Sequence, residues 1–336
     1  MVVTPSMSVP TCHPFKAVEF LLARGSLPVL YWLKKDILGV PADRDKKNLG
    51  KFGARVRILE SQRPDGSWIK DASAGSSQDE RTDLLAETLK NVSRLYDYGC
   101  TRDDIQVKKS VWYLFSSQTK EGDFRATSWS EYTPGFHALT LEILCRLGLG
   151  KDERVQTGFH WLMLHRQKDG GWAIPCRTIS KKEIEKRYLD RAKNSARPFQ
   201  SDKSKPFSHF ITGLVLRALT ESPPWRGSRQ CRKAAELVLG RFFKDDRYED
   251  RRSAAHWEEL NYPFWSTNIL SSLDALAKAG FAADEPKIGR GLDWLLGQQN
   301  SQGFWESRAN NAAFEDHLWL TLAVLRVLKR FGLLAW

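Results

Sequence analysis

The sequence is poor in cysteine and has no pair of cysteines at the spacing of a metal site. Its five cysteines are spread over 336 residues, and no CxxC pair occurs. Neither a zinc ribbon nor the disulfide framework of a small secreted domain is therefore indicated. This pattern fits a reducing compartment, and we expect a cytoplasmic protein.

Long apolar segments are also missing. No apolar run reaches the length of a membrane-spanning helix, and the first fifteen residues, MVVTPSMSVPTCHPF, lack a basic region followed by an apolar one. We expect no transmembrane segment and no secretion signal. Peripheral membrane contact and the oligomeric state are left open.

Positive charge is abundant but unevenly distributed. The net charge is +12, and residues 177–205 alone hold ten Lys or Arg against four Asp or Glu. This basic segment could meet an anionic substrate such as a diphosphate or a uronate-rich glycan, dock a partner, or be disordered. No nucleic-acid recognition motif accompanies the charge, so no nucleic-acid partner is expected.

One short pattern recurs along the chain: a glutamine, a polar loop with a glycine, and an aromatic residue. It occurs at Gln62–Trp68, Gln118–Phe124, Gln167–Trp172 and Gln299–Trp305. The glycine allows a turn with positive φ, the glutamine can bond the unpaired backbone groups at helix ends, and the tryptophan can pack between neighbouring hairpins. We interpret these residues as structural anchors between repeats.

Helical periodicity dominates the rest of the chain and predicts twelve helices in six pairs, of which the second member is the more apolar. The pattern predicts an all-α fold, a closed (α/α)6 toroid, over residues 13–336 after a tail at 1–12, with a basic insertion at about 177–205. An open superhelix is the alternative. The predicted helices are His13–Arg24, Pro28–Leu38, Leu49–Gln62, Arg81–Tyr98, Asp103–Gln118, Pro134–Leu147, Glu153–Gln167, Pro206–Leu219, Ser228–Phe243, Pro263–Lys278, Ile288–Gln299 and Glu315–Phe331.

The stretch Gly291–Trp305 resembles the QW repeat of the squalene–hopene and oxidosqualene cyclases, and Gly158–Trp172 is a second copy. Protein prenyltransferase β subunits carry the same repeat type. The resemblance implies a toroid that binds or transforms an apolar, isoprenoid-type ligand in its central cavity.

The catalytic motifs of those families are absent from this sequence. There is no D-x-D-D acid motif, and Asp43-x-Asp45-Lys46, in a predicted loop, ends in a lysine. No D-x-C supplies half of a zinc site, although Asp316-His317 resembles the region of the histidine ligand. Asp245–Glu249 reads as DDxxE, a spacing that can hold Mg²⁺, but a solvated charge run is preferred. We predict no metal site or cofactor, with Mg or Zn not excluded.

Candidate site residues follow from the expected convergence of the six inner-helix amino ends around the central cavity. Polar groups near the start of apolar helices are costly in a core, and aromatic rings can stabilise a carbocation or pack against a polyprenyl chain. The candidate catalytic residues are His137, His209, Glu258, Asp316 and His317. The candidate substrate-binding residues are Arg81, Tyr132, Trp257, Tyr262, Trp265 and Trp319.

Three functions are therefore considered. The first is a cyclase- or prenyltransferase-like protein acting on an isoprenoid. The second is a carbohydrate-active toroid, such as a polysaccharide lyase, and the third is a non-catalytic binding scaffold. A deep apolar cavity would favour the first, a shallow polar groove would favour the second, and a cavity filled by its own side chains would exclude both.

Overall fold

A computed structural model describes residues 14–69, 80–125, 131–191, 198–248 and 253–334, without the side chains of Arg81 and residues 187–191. These ranges are helical and contain no strand, only an isolated bridge between Gln118 and Phe124. The helices are α1 Pro14–Arg24, α2 Leu27–Trp32, α3 Asp43–Leu49, α4 Gly53–Glu60, α5 Glu80–Asp97, α6 Ile105–Ser116, α7 Pro134–Leu144, α8 Glu153–Leu164, α9 Pro175–Thr178, α10 Lys181–Arg191, α11 His209–Glu221, α12 Pro223–Arg226, α13 Arg229–Leu239, α14 Ile269–Lys278, α15 Pro286–Leu296 and α16 Phe314–Arg330, with π-helical turns at Leu33–Leu38 and Cys145–Leu149 and a 3₁₀ turn at Ala254–Glu258.

Six antiparallel helix pairs form a closed ring, which confirms the predicted all-α toroid. The inner helices are α2 with its π turn, α5, α7 with its π turn, α11, α14 and α16; the outer helices are α1, α4, α6, α8, α13 and α15. The first and last helix pairs meet at a seam that closes the ring. There Phe20 stacks on Phe304 with ring centroids 4.4 Å apart, and Ser26 Oγ donates to Glu315 at 2.7 Å.

The predicted helix starts were wrong for two inner helices. Prolines 206 and 263 were expected to open them, but α11 begins at His209 and α14 at Ile269. Each start is fixed by a side-chain cap: Ser208 accepts from the Ile211 amide, and Asn268 accepts from the Ser271 amide.

Segment Asp43–Leu49 is also helical, as α3, where a loop was predicted. Acidic residues in its first turn and lysines in its last suit the helix dipole, a pattern that outweighs its lack of an apolar face.

The repeated loops use the anchoring contacts that their residue types predict. The loop glycines at 66, 122, 170 and 303 all have positive φ. The indole N–H groups of Trp68, Trp172 and Trp305 each donate to a carbonyl of the preceding outer helix at 2.7 Å. Glutamine amides at 62, 118 and 299 donate to the carbonyl of their own loop glycine at 2.7–3.1 Å.

The apolar core lies between the two rings of helices. Nearly every residue of α11 and of α14 is buried, as expected for inner helices packed on both sides. The side chains that face the axis of the ring, however, are largely charged near the carboxyl ends of the inner helices. This arrangement places a polar site at the centre of an apolar molecule.

Candidate functional site

A polar cavity of about 560 Å³ lies on the ring axis. It lies at the carboxyl ends of the inner helices, where Lys35, Lys329 and Arg330 are exposed. The expected site lay at their amino ends, so the open cavity is at the opposite face of the toroid. Its lining comprises Trp32, Lys35, Asp36, Tyr96, Glu142, Arg146, Glu221, Tyr262, Phe264, Asp274, Lys278, Ala323, Arg326, Lys329 and Arg330.

Polar contacts link every neighbouring pair of inner helices around this cavity. Going around the ring, they are Trp32 Nε1 to the Asp97 carbonyl at 2.6 Å, Arg146 to Asp97 at 2.8 Å, Arg217 to Glu142 at 2.6 Å, Lys278 to Glu221 at 2.5 Å, Arg330 to Asp274, and Arg326 to Asp36 at 2.8 Å. We call these six contacts the polar ring. Because each contact joins two neighbouring inner helices, the polar ring is a continuous series of contacts around the inner wall.

Mutual pairing keeps Asp274 and Lys278 of the polar ring ionised despite burial. Burial by itself would raise the pKa of Asp274, but Lys278 and Arg330 outweigh it and hold that pKa well below its usual value. Burial likewise opposes charge on Lys278, yet Asp274 and Glu221 raise its pKa. This part of the cavity wall is therefore charged at neutral pH.

The charges of the cavity nearly cancel. Its lining holds six cationic and four anionic side chains, a net charge of +2. Six helix carboxyl ends point toward the same region, and each carries roughly −0.5 charge. The cations thus offset the helix dipoles, and the cavity as a whole is close to neutral but dense in donors and acceptors.

Segment Tyr262–Trp265, which precedes α14, forms the floor of the cavity. The Tyr262 hydroxyl donates to Asp97 Oδ1 at 2.9 Å, and the Phe264 carbonyl accepts from Arg217 Nη1 at 2.5 Å. The apolar crevice beneath it has room for only about 30 Å³. The floor therefore separates the cavity from the amino ends of the inner helices.

Three predicted binding residues lie at or under this floor. Tyr262 lines the cavity, Trp265 lines the crevice, and Trp319 stacks beneath Tyr262 with ring centroids 5.6 Å apart. Burial and Asp97 raise the pKa of Tyr262, so its phenol stays protonated and acts as a hydrogen-bond donor at neutral pH.

Two predicted histidines instead bind backbone groups of neighbouring loops and of α8, away from the cavity. His137 Nδ1 accepts from the Phe124 amide at 3.1 Å while its Nε2 donates to the Gly158 carbonyl at 2.9 Å. His317 Nδ1 accepts from the Ser307 amide at 2.9 Å. Burial lowers the pKa of His137 to about 4, which keeps the ring neutral for these contacts.

The third histidine belongs to a buried pair. His209 Nε2 and His256 Nε2 are 2.8 Å apart, and His209 stacks on Trp257 with ring centroids 4.7 Å apart. The Trp257 indole donates to the Lys244 carbonyl at 2.9 Å, so it takes the anchoring place of the loop tryptophan in the fifth hairpin. The loop of the fifth hairpin departs from the Gln–Gly–aromatic spacing of the other loops. For this reason the sequence did not identify Trp257 as the anchoring tryptophan.

The other candidates lie at the face of the toroid where the repeated loops and the amino ends of the inner helices meet, which we call the loop face, or outside the described side chains. Tyr132 is buried and its hydroxyl donates to Glu121 Oε2 at 2.5 Å. Asp316 accepts from the Ala313 amide and caps α16, whereas Glu258 is exposed. The side chain of Arg81 is not among those described. Catalytic or binding roles for the residues away from the cavity stay predictions.

The described part of the basic insertion also packs at the loop face. Gln167 Nε2 donates to the Asp202 carbonyl at 2.8 Å, and Gln200 Nε2 donates to the Tyr132 hydroxyl at 3.2 Å. No described residue of 177–205 lines the cavity. These contacts make the insertion a cover for the third loop.

Groupings of His, Cys, Asp or Glu that could hold a metal ion do not occur among the described residues. Glu249 of the DDxxE sequence lies outside them. No helix in the described ranges is both long and apolar enough to cross a membrane.

The polar ring was missed in the sequence, although it leaves a signal there. Four inner helices carry charged residues four positions apart in their last two turns: Glu142 and Arg146, Arg217 and Glu221, Asp274 and Lys278, and Arg326 and Arg330. Residues at this spacing share a helix face. Charged pairs recurring at one end of apolar helices mark a polar surface inside the ring.

Comparisons with known proteins support the fold. The chain matches no protein-family model and no curated protein. A polysaccharide lyase of known structure aligns with 96% of this chain and 99% of its own, at 10% identity and a TM-score of 0.53. The type II terpene cyclase MstE from Scytonema aligns with 86% of this chain and 99% of its own, at 15% identity and a TM-score of 0.43. An unsaturated glucuronyl hydrolase specific for heparin aligns with 98% of this chain and 92% of its own, at 12% identity and a TM-score of 0.48.

Proposed function

We propose that this toroid binds a hydroxyl-rich small molecule, of the saccharide class, in its central cavity. The observation that carries the proposal is the lining itself, which combines ten charged side chains with four aromatic ones in about 560 Å³. A volume of this size suits a small ligand. A sugar matches the lining because its hydroxyls both donate and accept, while its ring faces pack on aromatic side chains.

Near-neutral overall charge makes this cavity suited to hydroxyl groups. Carboxylates such as Glu142 accept hydrogen bonds from hydroxyls, and guanidinium groups such as Arg326 donate to them. Since the charged groups already satisfy one another in the polar ring, a neutral ligand adds hydrogen bonds without introducing an unpaired buried charge.

An isoprenoid is the second candidate, favoured by the repeat resemblance and by the aromatic rings of Trp32, Tyr96, Tyr262 and Phe264 on the wall. A hydrocarbon chain would, however, cover charged groups that now contact water, at a large desolvation cost. The crevice beside the cavity has room for only about 30 Å³ and is too small to take the chain instead. The isoprenoid ranks second for this reason.

Calorimetric titration tests the proposal with galacturonic acid, maltose, maltotriose and farnesyl diphosphate as probes. We expect at least one of the three saccharides to bind and farnesyl diphosphate to bind more weakly or not at all. Ala323→Phe places a ring in the cavity without altering the polar ring, because Ala323 lines the cavity and forms none of the six contacts. It should weaken saccharide binding at least tenfold.

The control for this variant is its melting temperature, which must match that of the wild type. Should Ala323→Phe melt early, exposed Lys35→Ala at the cavity mouth serves in its place, with an expected loss of two- to fivefold. Absence of saccharide binding, or saccharide binding that neither variant weakens, would overturn the proposal. Tight farnesyl diphosphate binding that Ala323→Phe abolishes would favour the isoprenoid candidate.

A further inference from the structure

A second hollow of about 410 Å³ adjoins the central cavity. It runs outward between α3 and the carboxyl ends of α5 and α7, and we call it the basic cleft. The basic cleft shares Trp32, Lys35, Tyr96 and Arg146 with the cavity wall. The two hollows are therefore adjacent parts of one surface.

The charge of the basic cleft differs from that of the cavity. Four cations line it, Lys35, Lys46, Arg102 and Arg146, against the single carboxylate of Asp103, a net charge of +3. Two helix carboxyl ends, at Gly99 and Gly148, border it and contribute roughly −1 together. Whereas the cavity is close to neutral, the basic cleft keeps an excess of positive charge.

Two of these cations are available to a ligand. Lys46 and Arg102 are exposed, and no carboxylate among the described residues pairs with either. Arg102 uses one N–H group to donate to the Gly148 carbonyl at 3.1 Å, which holds its guanidinium against the cleft wall. A planar guanidinium so held is suited to bind a carboxylate or another planar or tetrahedral anion.

Aromatic rings form the wall between the two hollows. Trp32 stacks on Tyr96 with ring centroids 5.8 Å apart, Lys35 lies 4.8 Å from the Trp32 ring, and Arg146 lies 4.4 Å from the Tyr96 ring. Cations over aromatic faces hold this wall in place. A ligand that follows it passes from the neutral cavity to the positive cleft.

We propose that the basic cleft is a second subsite, which takes an anionic group of the same ligand whose hydroxyl-rich part occupies the cavity. This inference rests on the proposed saccharide function and extends it: the ligand is an oligosaccharide longer than one unit that carries a carboxylate, or an anion of equivalent charge, outside the cavity.

Equal-length neutral and acidic probes test the second subsite. In 50 mM salt, trigalacturonate should bind the wild type at least tenfold more tightly than maltotriose does. The double variant Lys46→Ala/Arg102→Ala should lose about tenfold in trigalacturonate affinity and change maltotriose affinity by less than twofold. Both side chains are exposed and belong to no contact of the polar ring, so the variant should fold normally.

The matched control removes two exposed cations elsewhere. Arg232→Ala/Lys233→Ala lies on outer α13, beside a separate basic hollow, and should leave both affinities unchanged. Equal binding of both trisaccharides would overturn the second subsite and leave the saccharide function intact. Trigalacturonate affinity lost in the α13 variant alone would also overturn it, by moving the anion to the outer face.

Two further outcomes are decisive. If inorganic sulfate binds as tightly as trigalacturonate and depends equally on Lys46 and Arg102, the cleft is an independent anion site and the extension of the ligand is wrong. If none of the saccharides binds, the proposed function fails, and the second subsite fails with it.

Discussion

Several buried or half-buried polar side chains in this toroid join a helix to the backbone of a neighbouring segment. His137 shows this most clearly, because both of its ring nitrogens bind backbone and the ring is fully buried. The sequence places it correctly at the start of an inner helix, where polar side chains suggest a site. Sequence alone cannot show that the Phe124 amide, thirteen residues earlier, occupies Nδ1 of this ring and that the Gly158 carbonyl occupies its Nε2.

A pH dependence of stability follows from this histidine. Its folded pKa of about 4 lies below its ordinary value of 6.5, so the unfolded state binds the proton first as pH falls. The stability it contributes is complete above pH 6.5 and is lost toward pH 4, by about 2 kcal/mol between pH 7.5 and 5. Urea unfolding measures this effect. Between pH 7.5 and 5, the free energy of unfolding of His137→Gln should fall by about 2 kcal/mol less than that of the wild type.

The control for the pH experiment is exposed His160→Gln, which should keep the wild-type pH dependence. If His137→Gln and the wild type lost the same free energy of unfolding between pH 7.5 and 5, the lowered pKa of His137 would not be the cause of the acid sensitivity. In that case other groups, such as the carboxylates, would cause the acid sensitivity.

At the scale of elements, the sequence predicted the helices and their order well. The helical hydrophobic periodicity and the positions of the Gln–Gly–aromatic loops indicate the same helix boundaries. All twelve predicted helices exist, and the Gln–Gly–aromatic loops mark the junctions within hairpins. The starts of α11 and α14 were misplaced because a proline suggested an earlier helix start than the side-chain cap allows. The π turns carrying Lys35 and Arg146 leave no clear signal in one sequence.

The loop of the last hairpin provides a test of ring closure. Gly303 has φ +92°, and a Cβ there would lie 2.7 Å from Lys16 Cβ and 3.1 Å from its backbone carbon, on α1. We expect Gly303→Ala to lower the free energy of unfolding by about 3 kcal/mol, because backbone strain and a clash at the seam add. Denaturant unfolding measures this loss.

Gly280→Ala is the matched control for the seam. Its φ of +81° imposes a similar backbone cost, but a Cβ there meets nothing within 4 Å. We expect a loss of about 1 kcal/mol. Equal losses in the two variants would mean that the contact between the last loop and α1 contributes nothing to stability.

At the scale of the whole molecule, the toroid encloses charge where the resemblance to the QW repeat implied an apolar interior. The apolar faces of the inner helices pack against the outer ring, and the carboxyl-end charges meet at the axis. The fold class was predictable from repeats. The position of the cavity was not, because the floor segment Tyr262–Trp265 enters the ring from a connection that sequence periodicity does not describe.

Breaking the polar ring should destabilise the whole molecule. Asp274→Asn removes the carboxylate that pairs with Lys278 at 2.6 Å and with Arg330, and leaves two cations without their shared partner. We expect a loss of about 3 kcal/mol in the free energy of unfolding. Glu236→Gln, which breaks an exposed pair with Arg232 on α13, should cost less than about 0.5 kcal/mol. A small effect of Asp274→Asn would show that the ring contacts do not couple the inner helices.

The function that we propose is the binding of a hydroxyl-rich ligand in the central cavity. A crystal structure of the protein soaked with trigalacturonate and, separately, with farnesyl diphosphate tests it most directly. We expect a sugar unit in the cavity against Trp32 and Tyr262, with a carboxylate in the basic cleft near Arg102. A prenyl chain in the cavity, or saccharide density only on the outer face beside α13, would contradict it.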